Sequence, residues 1–299
     1  MRNLLYITLV SIFVSSCEKT EKVDDFPVHK SQLVTNCFFN EDTCFVFFLS
    51  KSLSPIDNAP FKTMNSSNAF IRVFENGVLF DSFRYDAFTK NYHGDGNKRP
   101  KEGGIYKFEC SYPGFPLLSA EDYIPSKTVV KKHSIYTNVT RTWENTDTAI
   151  YGIYNVNLNV ELDPVKTGNC LILSFEEADT VLRRSYYYST MKLNLKDFNP
   201  ENEYVYANNK LFIYNENGIK SLSLQWESYG MLNKNKITEI QDLQLQTCSK
   251  SSFEYLKRMA VQGENADDPF SEPTPISNSI QNGFGVFGGI NEMKFRFRY

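Results

Sequence analysis

Histidine and tryptophan are nearly absent, with 3 and 2 residues respectively. So few imidazoles leave little from which to build a His-based catalytic site, and none of His29, His93 or His133 lies in HExxH or another metal-ligand spacing. A GxSxG elbow is missing, which leaves a serine hydrolase of the common kind unsupported. So is any CxxC pair, which argues against zinc and against a thioredoxin-like redox site. There is no excess of one charge: the formal net charge of -3 removes the basic surface on which nucleic-acid binding mostly depends. Low hydrophobicity with high net charge, the mark of disorder, is also missing, since 41% of residues are hydrophobic and 22% charged. No catalytic residue, metal ligand or cofactor site is assigned on these grounds.

What the chain has is aromatic residues that favour strands, 24 Phe and 18 Tyr. Its 299 residues suffice for one large domain or two of ordinary size. The expected class is all-β: two β-sandwich-like domains with one short helix near the C-terminus.

The opening residues read as an address. Arg2 supplies a positive charge, an apolar run follows from Leu4 to Val14, and Ser15-Ser16-Cys17 closes it. The run is too short to span a bilayer, which needs roughly twenty residues, so residues 1–16 are expected to be a signal peptide. Val14-Ser15-Ser16-Cys17 resembles the bacterial lipobox, which makes Cys17 the lipidated first residue of the mature chain. A diacylglycerol with an N-linked, palmitate-like acyl chain gives stable attachment, each buried methylene contributing about 0.8 kcal/mol. Residues 17–30 then form a lipidated tether. Its acidic residues resemble the surface-export signal of Bacteroidota lipoproteins, although Lys19 and Thr20 interrupt them. The expected location is the outer membrane, surface-exposed, with the periplasmic face as the alternative.

Five cysteines remain: Cys37, Cys44, Cys110, Cys170 and Cys248. Isolated in apolar strands, they read as buried small hydrophobes. Spacing leaves their connectivity open. Cys37 and Cys44, which flank the turn Asn40-Glu41-Asp42, are the pair best placed to bridge.

Along the chain, Gln32–Phe39 and Thr43–Leu49 read as a hairpin, and Asn76-Gly77 between apolar runs is a second hairpin signal, because both residues accept positive φ. Strands at such short spacing predict a sandwich over 31–126. A polar stretch with Lys131-Lys132-His133 follows the proline at 125, so a second β domain is placed over 127–299. There Asn155–Leu162 alternates cleanly, with one wet face and one dry face. Ser251 or Ser252 as cap, Phe253, Leu256 and Ala260 at helical spacing, and Gly263 as a stop predict a helix over about 252–262. The alternating tail Met293–Tyr299 resembles the last strand of outer-membrane barrels, but without even ten-residue spacing elsewhere it reads as an ordinary sheet strand.

Several motifs match chemistry without its context. Gly283-Phe284-Gly285-Val286-Phe287-Gly288 fits GxGxxG, yet a dinucleotide site needs a helix after it and an acidic residue about twenty positions on. Glycines among aromatics instead mark a bent strand that another backbone approaches closely. The segment from Asp197 resembles a calcium loop but has Asn202 where glycine and Asn208 where glutamate is required. Glu176-Glu177 and Asp267-Asp268 read as solvated acids, since neighbours in a strand point to opposite faces. Asp147-Thr148-Ala149 and Asp179-Thr180-Val181 are similar to O-glycosylation sites of exported Bacteroidota proteins.

The two ends together carry a more specific resemblance. Gln32-Leu33-Val34-Thr35-Asn36, Asn68 to Gly77, Tyr112-Pro113-Gly114-Phe115, Asp268-Pro269-Phe270, Ser277 to Gly283 and Gly285-Val286-Phe287-Gly288-Gly289 resemble the Bacteroidota lipoproteins grouped as the domain-of-unknown-function family numbered 4249. Cys37 departs from the glycine expected there. The resemblance implies an outer-membrane lipoprotein without established activity, often encoded beside a TonB-dependent transporter, whose N-terminal part is similar to transthyretin- or carboxypeptidase-regulatory-like sandwiches. It carries over no catalytic residue; the Asp-Pro-Phe and Gly-x-Phe-Gly-Gly segments are expected to be structural. The functional expectation is a non-enzymatic accessory, anchored to the membrane, that captures a glycan or peptide ligand beside a TonB-dependent transporter. The alternatives are a structural or adhesive surface protein and a hydrolase of unrecognised type.

Overall fold

The computed structural model describes residues 29–54, 68–146, 149–163, 169–177, 204–208, 210–215, 218–232, 240–265, 271–272 and 274–298. Period-2 alternation writes the first strands. β1 (Leu33–Phe39) turns Leu33, Thr35, Cys37 and Phe39 inward, and β2 (Val46–Lys51) pairs antiparallel with it. The turn between them is closed by Asn40, whose Oδ1 accepts from the N–H groups of Asp42 at 2.9 Å and Thr43 at 2.8 Å. The expected Asn76-Gly77 hairpin joins β3 (Phe70–Glu75) to β4 (Val78–Asp86), with φ of 50° and 82° at the two turn residues. β5 (Asn91–His93), β6 (Ile105–Ser111) and β7 (Leu118–Tyr123) complete this half. Their inward residues build one aromatic core in which Phe39, Phe45, Phe47, Phe83, Tyr106 and Phe108 are buried.

Beyond residue 129 the chain continues as β8 (Val130–Thr146), β9 (Ala149–Leu162), β10 (Cys170–Glu177), β11 (Tyr204–Ala207), β12 (Lys210–Ile213), β13 (Ser221–Leu232) and β14 (Ile240–Cys248). A helix, α1 (Lys250–Asn265), and a last strand, β15 (Phe284–Arg298), follow. The fold class is all-β, as expected, with a single helix among the described residues. A twelve-stranded sheet runs β11-β12-β10-β14-β15-β1-β2-β5-β4-β3-β6-β7, and a three-stranded sheet runs β13-β9-β8. The dry face of β9, with Val156, Leu158, Val160 and Leu162, packs with Leu171, Leu173, Leu211, Leu243 and Leu245 of the large sheet. Ile172 and Phe212 point the other way and meet Phe253 and Ala260 of α1. Covered on both faces, β10 and β12 lose alternation and read as continuous apolar runs.

The helix limits are corrected, and two other readings gain detail. The polar stretch with Lys131-Lys132-His133 lies within β8, a 17-residue edge strand whose side chains from 131 to 140 are mostly exposed, so the face that would betray a strand carries no apolar stripe. The helix begins and ends outside 252–262. Its cap is Ser249, which accepts from Phe253 N–H through its carbonyl at 3.0 Å and from Ser252 N–H through Oγ at 3.4 Å, and Gly263 lies inside the helix. Finally, the glycine-rich segment and the alternating tail are one strand. Its first part pairs in parallel with β1, from Val34↔Phe284 to Phe39↔Gly289, and its second part pairs antiparallel with β14, from Cys248↔Ile290 to Ile240↔Arg298.

The glycines of β15 are explained by close backbone approach. A Cβ on Gly285, where φ is +118°, would sit 1.9 Å from the Thr35 carbonyl oxygen, and one on Gly289 would sit 2.0 Å from that of Tyr123. This is the bent, tightly packed strand expected from the sequence, and the motif runs on as strand through Arg298 where a dinucleotide site requires a helix.

Candidate functional site

Strand alternation that buries Ile71, Val73, Tyr106, Phe108 and Ala120 turns their neighbours outward. The outer face of β3, β6 and β7 therefore carries Phe70, Arg72 and Phe74, then Ile105, Lys107 and Glu109, then Glu121. Register sets these in rows: Phe74 opposes Lys107, which opposes Glu121, and Arg72 opposes Glu109. Glu109 binds both cations, with Arg72 Nη2 at 3.2 Å on Oε2 and Lys107 Nζ at 3.0 Å on Oε1. The Arg72 guanidinium also stacks between two rings, 5.2 Å from the centroid of Phe70 and 5.3 Å from that of Phe74.

Beside this row, at the tight β3–β4 turn, lies a cavity of about 220 Å³ lined by Phe74, Asn76, Gly77, Ile105, Lys107, Glu109 and Glu121. Ile105 in its lining is 48% exposed and Phe70, on the row beside it, 53%, so the apolar surface here is open to solvent. A space below the roughly 300 Å³ of an enclosing ligand pocket suits recognition of one ring or side chain at a surface rather than engulfment. Its lining offers aromatic and aliphatic faces, paired charges and an amide. Aromatic and aliphatic faces of this kind can stack on a flat ring or an apolar side chain, and Lys107 and Glu121 place charge at the edge. It contains no hydroxyl, thiol or imidazole.

Other polar groups gather elsewhere. Asp122 of β7 is buried and accepts from Ser249 Oγ at 2.5 Å and from Tyr123 N–H at 2.8 Å. Burial pushes its pKa up to about 6 against the opposing pull of these donors, Gly289 N–H and the Ser251 hydroxyl. Nearby, Thr128 and Thr247 hydroxyls meet at 2.7 Å, and Asn291 Nδ2 donates to the Pro125 carbonyl at 2.8 Å. These bonds tie β7 and the 124–128 segment to β14, α1 and β15. On α1, burial raises the pKa of Glu254, but the Tyr214 hydroxyl, Lys257 and Arg258 outweigh it and hold the carboxyl below its usual range. Lys257 completes that cluster 4.6 Å over the Tyr214 ring.

The histidines do not converge. His93 Nε2 lies 2.8 Å from Thr89 Oγ1 in the β4–β5 hairpin, and His133 packs edge-on to Phe295 at 4.6 Å. Thr89 also donates to Asp86, whose carboxyl is held below its usual range chiefly by the Phe88 N–H. Among the described residues no three His, Cys, Asp or Glu side chains form a metal-ligating group. Cys17, Asp147-Thr148, Asp179-Thr180-Val181, residues 197–203 of the calcium-like segment and Asp268-Pro269-Phe270 lie outside the described residues. Cys37 and Cys44 do not bridge. Cys37 points into the first core, and Cys44 Sγ donates to the Gly96 carbonyl at 3.1 Å, because the Asn40 turn sends the two side chains apart.

Sequence reasoning missed the outer face. Its signal was the pattern Phe70-x-Arg72-x-Phe74, in which the period-2 set opposite the buried Ile71 and Val73 is also aromatic.

A family model described as Domain of unknown function (DUF4249) matches residues 19–296. No curated protein matches the chain. Among solved structures, one from Corynebacterium diphtheriae described as a membrane anchored protein shares 8% identity, with a TM-score of 0.20. The alignment covers 76% of this chain and 56% of that one, so the chain spans little more than half of that neighbour's length. The collagen adhesin of S. aureus shares 9% identity over 91% of this chain and 95% of its own, with a TM-score of 0.12. At these scores the likeness does not extend to a shared fold.

Proposed function

Because this chain belongs to the DUF4249 family, a domain of unknown function, its activity has to be read from its own residues, and we propose that it is a membrane-tethered ligand-capturing protein. The observation that carries this reading is the outward row Phe70–Arg72–Phe74 with Lys107 and Glu109 beside the open cavity. Stacked cation and rings present flat apolar area with fixed charge at its edge, which suits a glycan or an extended peptide. Glu109 in the lining is held by both Arg72 and Lys107, and a carboxylate fixed in this way supports orienting a ligand.

The anchor in this proposal is the lipid on Cys17, with residues 17–30 as the tether and the outer membrane as the site of attachment. No helix among the described residues is long and apolar enough to cross a membrane, which is compatible with lipid anchoring. Captured ligand passes to a TonB-dependent transporter beside the lipoprotein. The test of the capture step is binding of the full-length lipoprotein, in detergent, to arrays of glycans and peptides. Wild type retains a defined class of ligand and Arg72→Ala and Phe74→Ala lose it. Retention by both variants would move the site elsewhere on the molecule.

A further inference from the structure

Two of the five thiols face each other. β10 and β14 run antiparallel with Cys170 directly opposite Cys248. Opposed residues of such a pair have Cα atoms about 4.5 or 5.5 Å apart, depending on whether they are hydrogen-bonded, and a disulfide spans roughly 4.4–6.8 Å. Both spacings fall in that Cα range, and the narrower one also brings the Cβ atoms to about the 4.5 Å that a disulfide allows. Both side chains leave the same face of the sheet and join Ile172, Phe212, Phe253 and Ala260 in the core beneath α1. The remaining cysteines have other neighbours across the sheet. Cys37 opposes Phe287, Cys110 opposes Ile71 and Leu118, and Cys44 is bonded to the Gly96 carbonyl.

We propose that Cys170 and Cys248 are a disulfide-forming pair, joined when the chain folds in an oxidising compartment, while Cys37, Cys44 and Cys110 remain thiols. Its occurrence in the cell rests on the export reading of residues 1–16. The chemistry balances with one oxidant class, the disulfide of an envelope thiol–disulfide oxidoreductase. One cysteine of the pair attacks that disulfide to give a mixed disulfide, and the second displaces the enzyme. The S–S bond of the pair forms as that of the oxidoreductase breaks, and two electrons and two protons pass to the oxidoreductase, which leaves as its dithiol.

Burial decides when this happens. It pushes Cys170 up to about 11 and Cys248 well above the ordinary thiol value, so the folded chain holds almost no thiolate at this site. Oxidation thus belongs to folding, before α1 covers the pair, and the finished bond is shielded from reductants by the same packing. Its consequence lies one residue on. Ser249 follows Cys248, caps α1 and holds Asp122 of β7, so the bond pins the end of β14 at the joint between the two cores.

Thiol mapping tests the pairing. Full-length protein from the membrane fraction is acid-quenched, denatured and alkylated, then reduced and labelled with a second reagent before peptide mass spectrometry. In parallel, the same chain made in a reducing cytosol is unfolded and refolded in a glutathione redox buffer. The second label is expected on Cys170 and Cys248 and the first on Cys37, Cys44 and Cys110, in both samples. Dithiothreitol is expected to lower the unfolding midpoint of wild type and to leave that of C170A/C248A unchanged. First label on all five in both samples, or any other bridged pair, overturns the proposal. The pair oxidised in glutathione buffer but reduced in the membrane fraction supports the pairing and overturns the export reading instead.

Discussion

Ser249 Oγ donates to Asp122 Oδ2 at 2.5 Å, joining the cap of α1 to the last strand of the first core across 127 positions of sequence. The bond places a buried carboxylate at a helix N-terminus, where the exposed N–H groups favour negative charge. Even so, burial dominates and Asp122 sits at about 6, well above its ordinary 3.8. A raised folded-state pKa means that the native protein binds this proton more tightly than the unfolded chain does. The stability contributed is full below about pH 3.8 and is lost as pH rises through about 6. A tenfold change in proton affinity corresponds to about 1.4 kcal/mol, so the swing is at most ~3 kcal/mol. Asp122→Asn is expected to flatten the stability profile between pH 4 and 6 relative to wild type, as read by denaturant unfolding at a series of pH values. An unchanged slope would remove Asp122 from this role.

Ser249→Ala removes both the cap and the strongest donor to that carboxylate. A lost cap costs about 1 kcal/mol and an under-satisfied buried acid another 1–3 kcal/mol. A loss of roughly 2–4 kcal/mol is expected in urea unfolding, falling at acid pH as Asp122 protonates.

The glycines separate strain from collision. Gly77 has φ of +82°, and a Cβ added there would meet nothing within 4 Å, so Gly77→Ala costs only the left-handed backbone strain, about 1–2 kcal/mol. At Gly285 the same substitution also drives a methyl to 1.9 Å from the Thr35 carbonyl, which displaces β15 from β1. Gly285→Ala is expected to exceed about 4 kcal/mol or to abolish folding, the range that marks a disrupted core. Thermal unfolding of the two variants side by side reads the difference.

Phe287 stands at the centre of the first core, with ring centroids of Phe39 at 4.6 Å and Phe108 at 5.0 Å, although it comes from the far end of the chain. Phe287→Ala leaves a large cavity and is expected to cost about 3–5 kcal/mol. Arg72→Ala is the contrast. Its ion pair with Glu109 is partly exposed, so its loss is expected to cost no more than about 1 kcal/mol while ligand capture fails.

Much of the architecture was legible where local chemistry and global burial agree. Asn76-Gly77 announced its hairpin, and Asn155–Leu162 announced a strand with one dry face, because each residue's preference matched its final environment. Legibility failed where the partner lies far along the chain. β8 exposes most of its near half, so Lys131-Lys132-His133 concealed a strand that exists because β9 pairs with it. Gly263 reads as a stop, but α1 runs past it, held by contacts of Phe253 and Ala260 with Phe212 and Cys248. The pairing of Phe284–Gly289 with β1 joins opposite ends of the sequence, and no local pattern encodes that register. The candidate site was hidden for the same reason. Phe70, Arg72 and Phe74 look like any alternating strand until β6 brings Lys107 and Glu109 alongside.

The claim that this protein captures ligand for a membrane transporter is tested most directly by affinity isolation. A C-terminally tagged full-length copy is recovered from detergent-solubilised outer membrane, and its companions are identified by mass spectrometry. The account predicts a TonB-dependent transporter at one copy per lipoprotein. Recovery of the lipoprotein alone, under conditions that preserve other membrane complexes, would contradict it and leave a free-standing surface protein.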